Sequence, residues 1–512
     1  MARPDQSIQL TLAGSLAALV LLVAIIGMST GDTDGAGPTS DLVPAEIGAL
    51  AEGAIDEVPT PDPAFDDVDP TRSSAATIRA APKAPGGDTP VVASGGTIKV
   101  GITYISDPGG ANAAAGFTVG QVDQRRGWEA IIKKINADAP FGRKIVPVWF
   151  APTENEATSK GAERLGQEAC AKFTQDERVF MVWVGTVAGG NTLQSCLTKA
   201  KVPSIAFGVG ESYGKTFATF PYLVEPSVAA LDRMAAFYAS SLVSNGFFTS
   251  FKSNTAPYGP TKPADGKARI GLLRYNQQSH LAAARALKNA LAKQGLSLCD
   301  GCEFEATYSP TDVADQLNDA TEANAAVQGC KTRGCTHILF LGSTAQRLPV
   351  FFMDGAERQQ YRPRIGLSPL DDPESIKDFL GEPSHAQFRQ GQLVTWNPAD
   401  LGITTKEFTA CKKMFTDAGE TFEGEEAAGK LAVIATYCDT GTYFAQTMKS
   451  VGSVLDLPSW VKGVESMEPI ASPGTYRMQT KAGRHDAVGA VQIGSWNDDC
   501  TCFKPASKVI TV

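Results

Sequence analysis

The strongest restriction on the fold of this chain is an alternation of short apolar runs with segments of helical periodicity, which starts near residue 97. The first run, IKVGIT at 98–103, is apolar without regular alternation with polar residues. The segment after it places Trp128, Ile131 and Ile135 on one face of a helix. Non-alternating strands separated by helices are typical of a parallel sheet that helices cover on both faces. The sequence therefore predicts an α/β lobe.

The same alternation returns in the second half of the chain. A stretch rich in Pro, Gly, Ser and Thr at 250–266 interrupts it, and a new apolar run, ARIGLLR, begins at Ala268. After residue 390 the pattern is mixed, and periodicity does not assign those pieces to either half. We therefore predict two Rossmann-like α/β lobes with parallel sheets joined by a hinge. The predicted ranges are 97–249 for lobe 1, 250–390 for lobe 2, and 391–512 for a mixed segment that completes the lobes and the hinge.

The first thirty residues indicate the compartment. Arg3 and the amino terminus precede an apolar run from Leu10 to Met28 that contains no charged residue. This length reaches the lower range for a membrane span, and small residues near its end leave signal-peptide cleavage open. In both cases the rest of the chain is exported. We predict a signal peptide or membrane anchor at 1–30, an extracytoplasmic protein that is secreted or membrane-tethered, and contact with the membrane only through this segment.

Residues 31–96 differ in composition from all that follows. They hold twelve acidic and three basic residues, nine prolines and one aromatic residue, Phe65. Such a segment has too little apolar surface to offset its conformational entropy, so we predict a disordered acidic linker. Residues 97–512 carry 42 acidic and 42 basic side chains. That balance excludes an overall basic surface, and we expect no nucleic-acid partner.

Several segments of the folded part stand in a characteristic order: IKVGITYISDPGG at 98, VWVGTVAGG at 182, VPSIAFGVGES at 202, ARIGLLRYNQQSHLAAARAL at 268, THILFLGSTAQ at 336, RPRIGLSP at 362 and GQLVTWNP at 391. In order and spacing they resemble the type 1 periplasmic binding family, the branched-chain amino-acid and amide binding proteins of ABC transporters. The resemblance covers about residues 97–500. It implies a small polar solute, such as an amino acid or amide, held by loops of lobe 1 and covered by lobe 2 when the hinge closes. It also implies an ABC permease as partner.

Carried over position by position, the resemblance implies a set of ligand-binding residues. In lobe 1 they are Ser106, Asp107, Thr186, Val187, Ala188, Gly208, Val209, Gly210 and Glu211. In lobe 2 they are Tyr275, Gln277, Ser279, Thr344 and Ser368. Short hydroxyls and N–H groups at helix amino termini are suited to bind a carboxylate. Thr186, which precedes a predicted helix, is therefore the foremost candidate.

These residues also have ordinary structural interpretations. Thr186 and Ser279 stand where Ser and Thr commonly cap helices. Glu211 is typical of a solvent-exposed loop acid, and Tyr275 can pack at the edge of a lobe. Amino-acid-binding members usually present hydroxyls where this chain has residues 208–211. The sequence therefore leaves the ligand open.

The ten cysteines occur as neighbouring pairs along the chain: 170 and 196, 299 and 302, 330 and 335, 411 and 438, 500 and 502. An even number in an exported chain indicates disulfides, so we predict that all ten are bridged. The resemblance implies a bridge between Cys170 and Cys196. Four of them, Cys299, Cys302, Cys330 and Cys335, precede two strands of lobe 2, and four thiolates there could bind zinc. Because an oxidising compartment favours bridges, we expect no metal and no cofactor.

The sequence offers little catalytic chemistry. It contains no GxSxG, HExxH or Walker motif. The four histidines stand without metal-ligand spacing: His280, His337, His385 and His485. We expect a protein that is not an enzyme. The alternatives are an extracytoplasmic hydrolase with Asp107 or Glu211 as base, a tethered ligand sensor, and a surface interaction protein.

Overall fold

The computed structural model describes residues 92–106, 122–139, 142–185, 190–206, 212–251, 262–307, 313–342, 347–371, 386–389, 391–424 and 427–512. The predicted apolar segment at 1–30 and nearly all of the acidic linker lie outside these residues. Strand β1 (Val92–Ala93) pairs with β12 (Val454–Leu455), so paired structure begins inside the range 31–96 that we expected to be linker. Within the described ranges, no helix has both the length and the hydropathy needed to cross a membrane.

Lobe 1 is built on a five-stranded parallel sheet in the order β3-β2-β4-β5-β6. Its strands are β2 (Thr97–Thr103), β3 (Lys144–Phe150), β4 (Met181–Val184), β5 (Ser204–Ala206) and β6 (Leu223–Val224). All residues of β4 are buried, as expected for a central strand with helices on both faces. The α/β sheet predicted from the non-alternating apolar runs is confirmed.

Helices from both ends of the folded chain cover this sheet. One set is α1 (Gln124–Asp138), α2 (Glu154–Ala171), α3 (Gly190–Lys199) and α4 (Gly214–Thr219), and the other is α9 (Lys406–Asp417), α10 (Ala427–Val451) and α11 (Leu457–Glu465). The Trp128 ring in α1 lies 4.5 Å from that of Tyr437 in α10 and 5.4 Å from that of Trp183 in β4, between centroids. Part of the mixed C-terminal segment therefore completes the core of lobe 1.

Lobe 2 is built on an eight-stranded mixed sheet in the order β14-β13-β11-β10-β9-β7-β8, with β15 paired to β13. Its strands are β7 (Ile270–Tyr275), β8 (Leu298–Ala306), β9 (His337–Leu341), β10 (Arg364–Leu367), β11 (Gln392–Thr395), β13 (Ala490–Asn497), β14 (Cys502–Pro505) and β15 (Ile510–Thr511). Strands β7 to β11 are parallel, whereas β13 runs antiparallel to β11. The predicted parallel pairing therefore holds from β7 to β11, and β13 adds antiparallel pairs with β11, β14 and β15.

One helix of lobe 2 comes before the start that the sequence predicts for this lobe. They are α5 (Leu231–Ser244), α6 (Gln278–Ala292), α7 (Val313–Arg333) and α8 (Arg347–Arg358). Tyr238 and Leu242 of α5 are buried in the same apolar cluster as Leu272 of β7 and Leu287 of α6. Lobe 2 therefore includes α5, which precedes the boundary predicted between residues 249 and 250. The polar stretch at 250–266 connects two elements of one lobe, because composition marks a loop but not which lobes it joins.

Four of the five cysteine pairs form disulfides: Cys170 with Cys196, Cys299 with Cys302, Cys411 with Cys438, and Cys500 with Cys502. The first links α2 to α3, and the third links α9 to α10. The expectation that all ten cysteines are bridged is wrong, because Cys330 and Cys335 are free and buried. The Cys335 sulfur lies 3.5 Å from that of Cys302. Cys335 thus contacts the Cys299–Cys302 disulfide and forms no disulfide with Cys330.

Candidate functional site

The carboxyl ends of the lobe 1 strands are tied together by hydrogen bonds. Beyond β2, the Ser106 amide and hydroxyl both donate to the carbonyl of Pro152, at 3.0 and 3.3 Å, which joins the ends of β2 and β3. The Thr103 hydroxyl accepts the Gly185 amide at 3.0 Å and joins β2 to β4. A Cβ at Gly185 would collide with the Thr103 carbonyl oxygen, so this approach requires glycine. Ser106 is exposed at this edge.

Most predicted ligand residues of lobe 1 come directly after these strand ends. The positions that lie outside the described residues are Asp107, Thr186, Val187, Ala188, Gly208, Val209, Gly210 and Glu211 in lobe 1 and Thr344 in lobe 2. The strands that precede the lobe 1 positions, β2, β4 and β5, are neighbours in the sheet. The carboxyl ends of these three strands therefore lie along one edge of the sheet. Their role in ligand binding stays a prediction.

Tyr275 ends β7 and is almost fully buried, with 2 % of its surface exposed. Its hydroxyl donates to Asp319 of α7 at 3.2 Å, and its ring meets His280 edge-on at 5.5 Å between centroids. These contacts lie inside lobe 2 and match the packing interpretation of Tyr275. Gln277 is the N-cap residue of α6 and makes no side-chain capping bond. Tyr275 therefore shapes the lobe 2 edge mainly through packing.

Ser279 and His280 form a buried pair in the first turn of α6. The Ser279 hydroxyl lies 3.4 Å from His280 Nδ1, and His280 Nε2 lies 3.1 Å from the carbonyl oxygen of Gly342 beyond β9. Burial lowers the pKa of His280 to about 4, so the ring is neutral at pH 7. Because a carbonyl oxygen only accepts, Nε2 carries the proton and Nδ1 accepts from Ser279. Ser279 thus orients His280, while the N-cap position belongs to Gln277.

Ser368 lies in a buried turn after β10. Its amide donates to Asp371 Oδ2 at 2.6 Å, and its hydroxyl accepts the Leu370 amide at 3.3 Å. Asp371 is 0 % exposed, and within the described residues its Oδ1 has no hydrogen-bond partner. Burial raises the pKa of Asp371 to about 7. A Cβ added to Gly342 would lie 2.9 Å from Oδ1, so this carboxyl group stands beside the end of β9.

His280 and Asp371 therefore approach Gly342 together, and we call these three residues the Gly342 corner. The sequence analysis proposed Ser279 and Ser368 as site residues. It did not identify His280 and Asp371, the ionisable residues to which these serines form hydrogen bonds. For Asp371 a local indication exists, because Ser followed by an acid three residues later is a common turn and capping pattern. For His280 no local pattern signals its contact with a strand end that follows it by 62 residues.

The chain passes between the lobes three times: from β6 to α5, from β11 to α9, and from α11 to β13. Where β6 ends, the Glu225 amide donates to the His485 carbonyl at 3.0 Å. Next to that contact, Asp486 accepts Arg233 Nε of α5 at 2.7 Å. The two side chains are 10 % and 2 % exposed, so solvent screens their attraction weakly. This buried ion pair fixes the start of lobe 2 to the returning chain at the hinge.

A separate concavity lies on the outside of lobe 1. It has a volume of about 1040 Å³ and is lined by α1, α9 and α10, including Met414 and the bridge between Cys411 and Cys438. Its walls are helix surfaces, whereas open α/β sheets bind ligands at the carboxyl ends of their strands. We therefore place the candidate site at the strand ends and not in this groove.

No protein-family model and no curated protein matches the sequence. Solved structures do match its fold. A solute-binding protein of an ABC transporter from Rhodopseudomonas palustris, in complex with p-hydroxybenzoic acid, is 13 % identical, aligns over 81 % of this chain and 97 % of its own, and has a TM-score of 0.55. A branched-chain amino acid ABC transporter from Thermus thermophilus with bound valine is 10 % identical over the same shares, with a TM-score of 0.54. A further Rhodopseudomonas palustris solute-binding protein, in complex with 3,4-dihydroxybenzoic acid, is 15 % identical over those shares, with a TM-score of 0.52.

Two α/β lobes connected by three chain crossings define a class of two-lobed α/β proteins. Within that class, this chain has the fold of the type 1 periplasmic binding proteins. The resemblance seen in the sequence is confirmed for the fold. The two Rhodopseudomonas palustris neighbours are solute-binding proteins of ABC transporters.

Proposed function

We propose that this protein is an extracytoplasmic solute-binding protein that captures a small polar solute between its lobes. The supporting observation is the arrangement of strand ends: β2, β4 and β5 are neighbours in lobe 1, and β7, β9 and β10 are neighbours in lobe 2. The loops after these strands belong to two bodies joined at the Arg233–Asp486 hinge contact. Neighbours with this fold were solved with valine and with hydroxybenzoic acids bound. Closure of two such bodies encloses a ligand.

The solute that best suits these edges carries a carboxylate, as an amino acid or an aromatic acid does. In lobe 1, Thr186 precedes α3, which begins at Gly190, and a hydroxyl near a helix amino terminus favours an anion. In lobe 2, the Gly342 corner holds a neutral His280 and an Asp371 whose pKa is raised to about 7. Below that pH neither group opposes a negative ligand. An amide of similar size would lack the attraction at the helix terminus.

Such a protein works by a change of conformation and not by making or breaking a bond. The ligand stabilises the closed form by the difference between its affinities for the closed and open forms. The buried Arg233–Asp486 pair keeps the crossing segments together while the lobes rotate. The closed form would then dock on an ABC permease, or signal as a tethered sensor, with the apolar run at 10–28 as membrane anchor or cleaved signal.

A ligand screen on the full chain tests this proposal. We would measure thermal shifts with branched-chain amino acids, their amides, hydroxybenzoic acids and neutral sugars, then confirm any shift by calorimetry. A binder present at 100 times its Kd stabilises the folded state by about 2.7 kcal/mol. We expect a shift with one class of carboxylate and none with sugars. Turnover of any tested compound, or a lack of stabilisation by all of them, would contradict the proposal.

A further inference from the structure

Four cysteines of lobe 2 form a cluster that the binding function does not use. The first two lie in β8, where the parallel pairing with β7 jumps: Leu298 pairs with Ile270, and Glu303 pairs with Leu272. Residues 299–302 therefore form a bulge in β8. Gly301, directly before Cys302, has a φ of +67°, which glycine adopts without strain.

The other two cysteines lie at the corner where α7 turns into β9. Cys330 is in the last turn of α7, and the Cys335 amide donates to the Cys330 carbonyl at 2.9 Å. A Cβ added to Gly271 of β7 would lie 2.9 Å from the Cys330 sulfur and 3.2 Å from the Cys335 sulfur. Both sulfurs therefore lie over the same point of β7, and the missing side chain at Gly271 makes room for them.

The distances among three of the sulfurs are those of a possible metal centre. The Cys335 sulfur lies 3.5 Å from that of Cys302 and 3.7 Å from that of Cys299, and these three sulfurs lie within 4.8 Å of one another. The Cys330 sulfur lies beside this group, next to Cys335 over Gly271. Zinc binds thiolate sulfur at about 2.3 Å in a tetrahedron, whose corners are then roughly 3.8 Å apart. Cys302, Cys330 and Cys335 are each 0 % exposed, as in the closed sites that hold structural zinc.

A single bridge between Cys299 and Cys302 uses two of these sulfurs and leaves Cys330 and Cys335 as buried thiols. In an oxidising compartment, adjacent cysteines usually form disulfides, so one bridge and two free thiols among four neighbouring cysteines is an unusual state. A tetrathiolate site engages all four. Its net charge of about −2 needs a nearby cation, and the Arg333 Nε would lie 2.9 Å from a Cβ on Gly301.

We propose that Cys299, Cys302, Cys330 and Cys335 bind one Zn²⁺ ion when all four are reduced. Four thiols bind the ion as thiolates and release four protons to solvent. No reductant is required, because cysteines leave the ribosome as thiols, and metal binding competes with formation of the Cys299–Cys302 bridge. The ion fixes β8, at the edge of the lobe 2 sheet, to the corner between α7 and β9.

The test is metal protection of the full chain, reduced and refolded without oxygen, with ZnCl₂ as the probe. The chain is treated with a thiol-alkylating reagent in the presence and absence of zinc, and the modified cysteines are identified by mass spectrometry. We expect zinc to slow the alkylation of Cys299, Cys302, Cys330 and Cys335, whereas the other six cysteines react to the same extent with and without zinc. Cobalt(II) in place of zinc should give the thiolate-to-metal charge-transfer band and the intense visible bands of tetrahedral coordination.

The variants separate a metal site from nonspecific thiol binding. Cys302→Ser removes one ligand and should weaken zinc binding by more than the roughly 10- to 100-fold that loss of an outer-shell contact costs. The double variant Cys500→Ser/Cys502→Ser removes an exposed bridge elsewhere and should bind zinc as the wild type does. No protection of the four cysteines, equal protection of all ten, or a cobalt spectrum unchanged in Cys302→Ser would overturn the proposal. None of these outcomes depends on whether the cleft binds a solute.

Discussion

The two lobes hold the carboxyl edges of their sheets together in different ways. In lobe 1, among the described residues, the edge is tied by neutral bonds: Ser106 to the Pro152 carbonyl, and the Gly185 amide to the Thr103 hydroxyl. In lobe 2 the corresponding edge is supported by buried ionisable groups at the Gly342 corner. Neutral bonds do not change between pH 4 and 7, whereas His280 and Asp371 have pKa values near these limits. Acid should therefore act on lobe 2 and leave the lobe 1 edge unchanged.

Removal of the buried ion pair between two of the segments that cross between the lobes should have the largest effect. Arg233→Met keeps an apolar stem but leaves Asp486 buried without its guanidinium partner. Loss of one member of a buried ion pair costs about 3–5 kcal/mol. We expect the free energy of unfolding, measured with urea, to fall by that amount. The control is Lys134→Met, which breaks an exposed pair with Asp138 and should cost about 0–1 kcal/mol. Equal losses in the two variants would show that the hinge pair contributes little.

The second prediction concerns the pH dependence of lobe 2. The pKa of Asp371 is about 7 in the folded protein against 3.8 in the unfolded chain, so between those values the folded state keeps a proton that the unfolded state has lost. Its contribution to stability therefore falls as pH rises, by about 1.4 kcal/mol per pH unit. His280, with a pKa lowered from 6.5 to about 4, has the opposite slope between these two values.

Because these slopes oppose each other, the difference between variant and wild type is the informative quantity. Relative to the wild type, Asp371→Asn should gain stability by about 1.4 kcal/mol for each unit from pH 4 to 7. Urea unfolding at several pH values in this window measures it. The exposed Asp417→Asn, which breaks a surface pair with Lys413, serves as control and should show no such slope. A flat difference for Asp371→Asn would mean that its carboxyl group is ionised in the folded state.

The smallest predicted effects follow from removing one hydroxyl group from each edge. A hydrogen bond to a ligand contributes about 0.5–1.5 kcal/mol, so Thr186→Ala should weaken binding about three- to twelvefold. Ser279→Ala should instead lower the melting temperature of the ligand-free protein, because its hydroxyl orients the buried His280. Calorimetry and thermal melting of both variants decide between these roles. If Thr186→Ala melts earlier but binds unchanged, Thr186 is a helix cap and the lobe 1 site is misplaced.

Local sequence patterns were sufficient to predict the parallel strands of both sheets. The run IKVGIT corresponds to β2, and the buried run ending in MVWV corresponds to β4, because strands covered on both faces are recognisable from their composition alone. The same patterns did not assign α5 or the C-terminal helices. Whether a helix packs on one sheet or the other depends on contacts such as that between Trp128 and Tyr437, which leave no trace in local periodicity.

The candidate site was predictable to a lesser extent, for a related reason. Loops after parallel strands can be located from sequence, but it was the family resemblance that implied Ser279 and Ser368 as residues of the lobe 2 edge. Whether a side chain at such a position is exposed to a ligand or buried depends on the surrounding fold. Tyr275 illustrates this, since its hydroxyl is engaged by Asp319 and its ring is buried. The burial of Asp371 and His280 arises in the same way.

Helices from the C-terminal part of the chain complete the core of lobe 1, and this restricts the order in which the chain can fold. The Tyr437 hydroxyl donates to Gln124 at 2.6 Å, and the two residues are 313 positions apart. Contacts over such separations form slowly, because a long loop must close before they are made. During synthesis, lobe 1 must wait for α9 to α11, and the lobe 2 sheet must wait for β13 to β15, which follow those helices in the sequence. A chain of this kind stays incompletely folded until its C-terminal helices and strands are available.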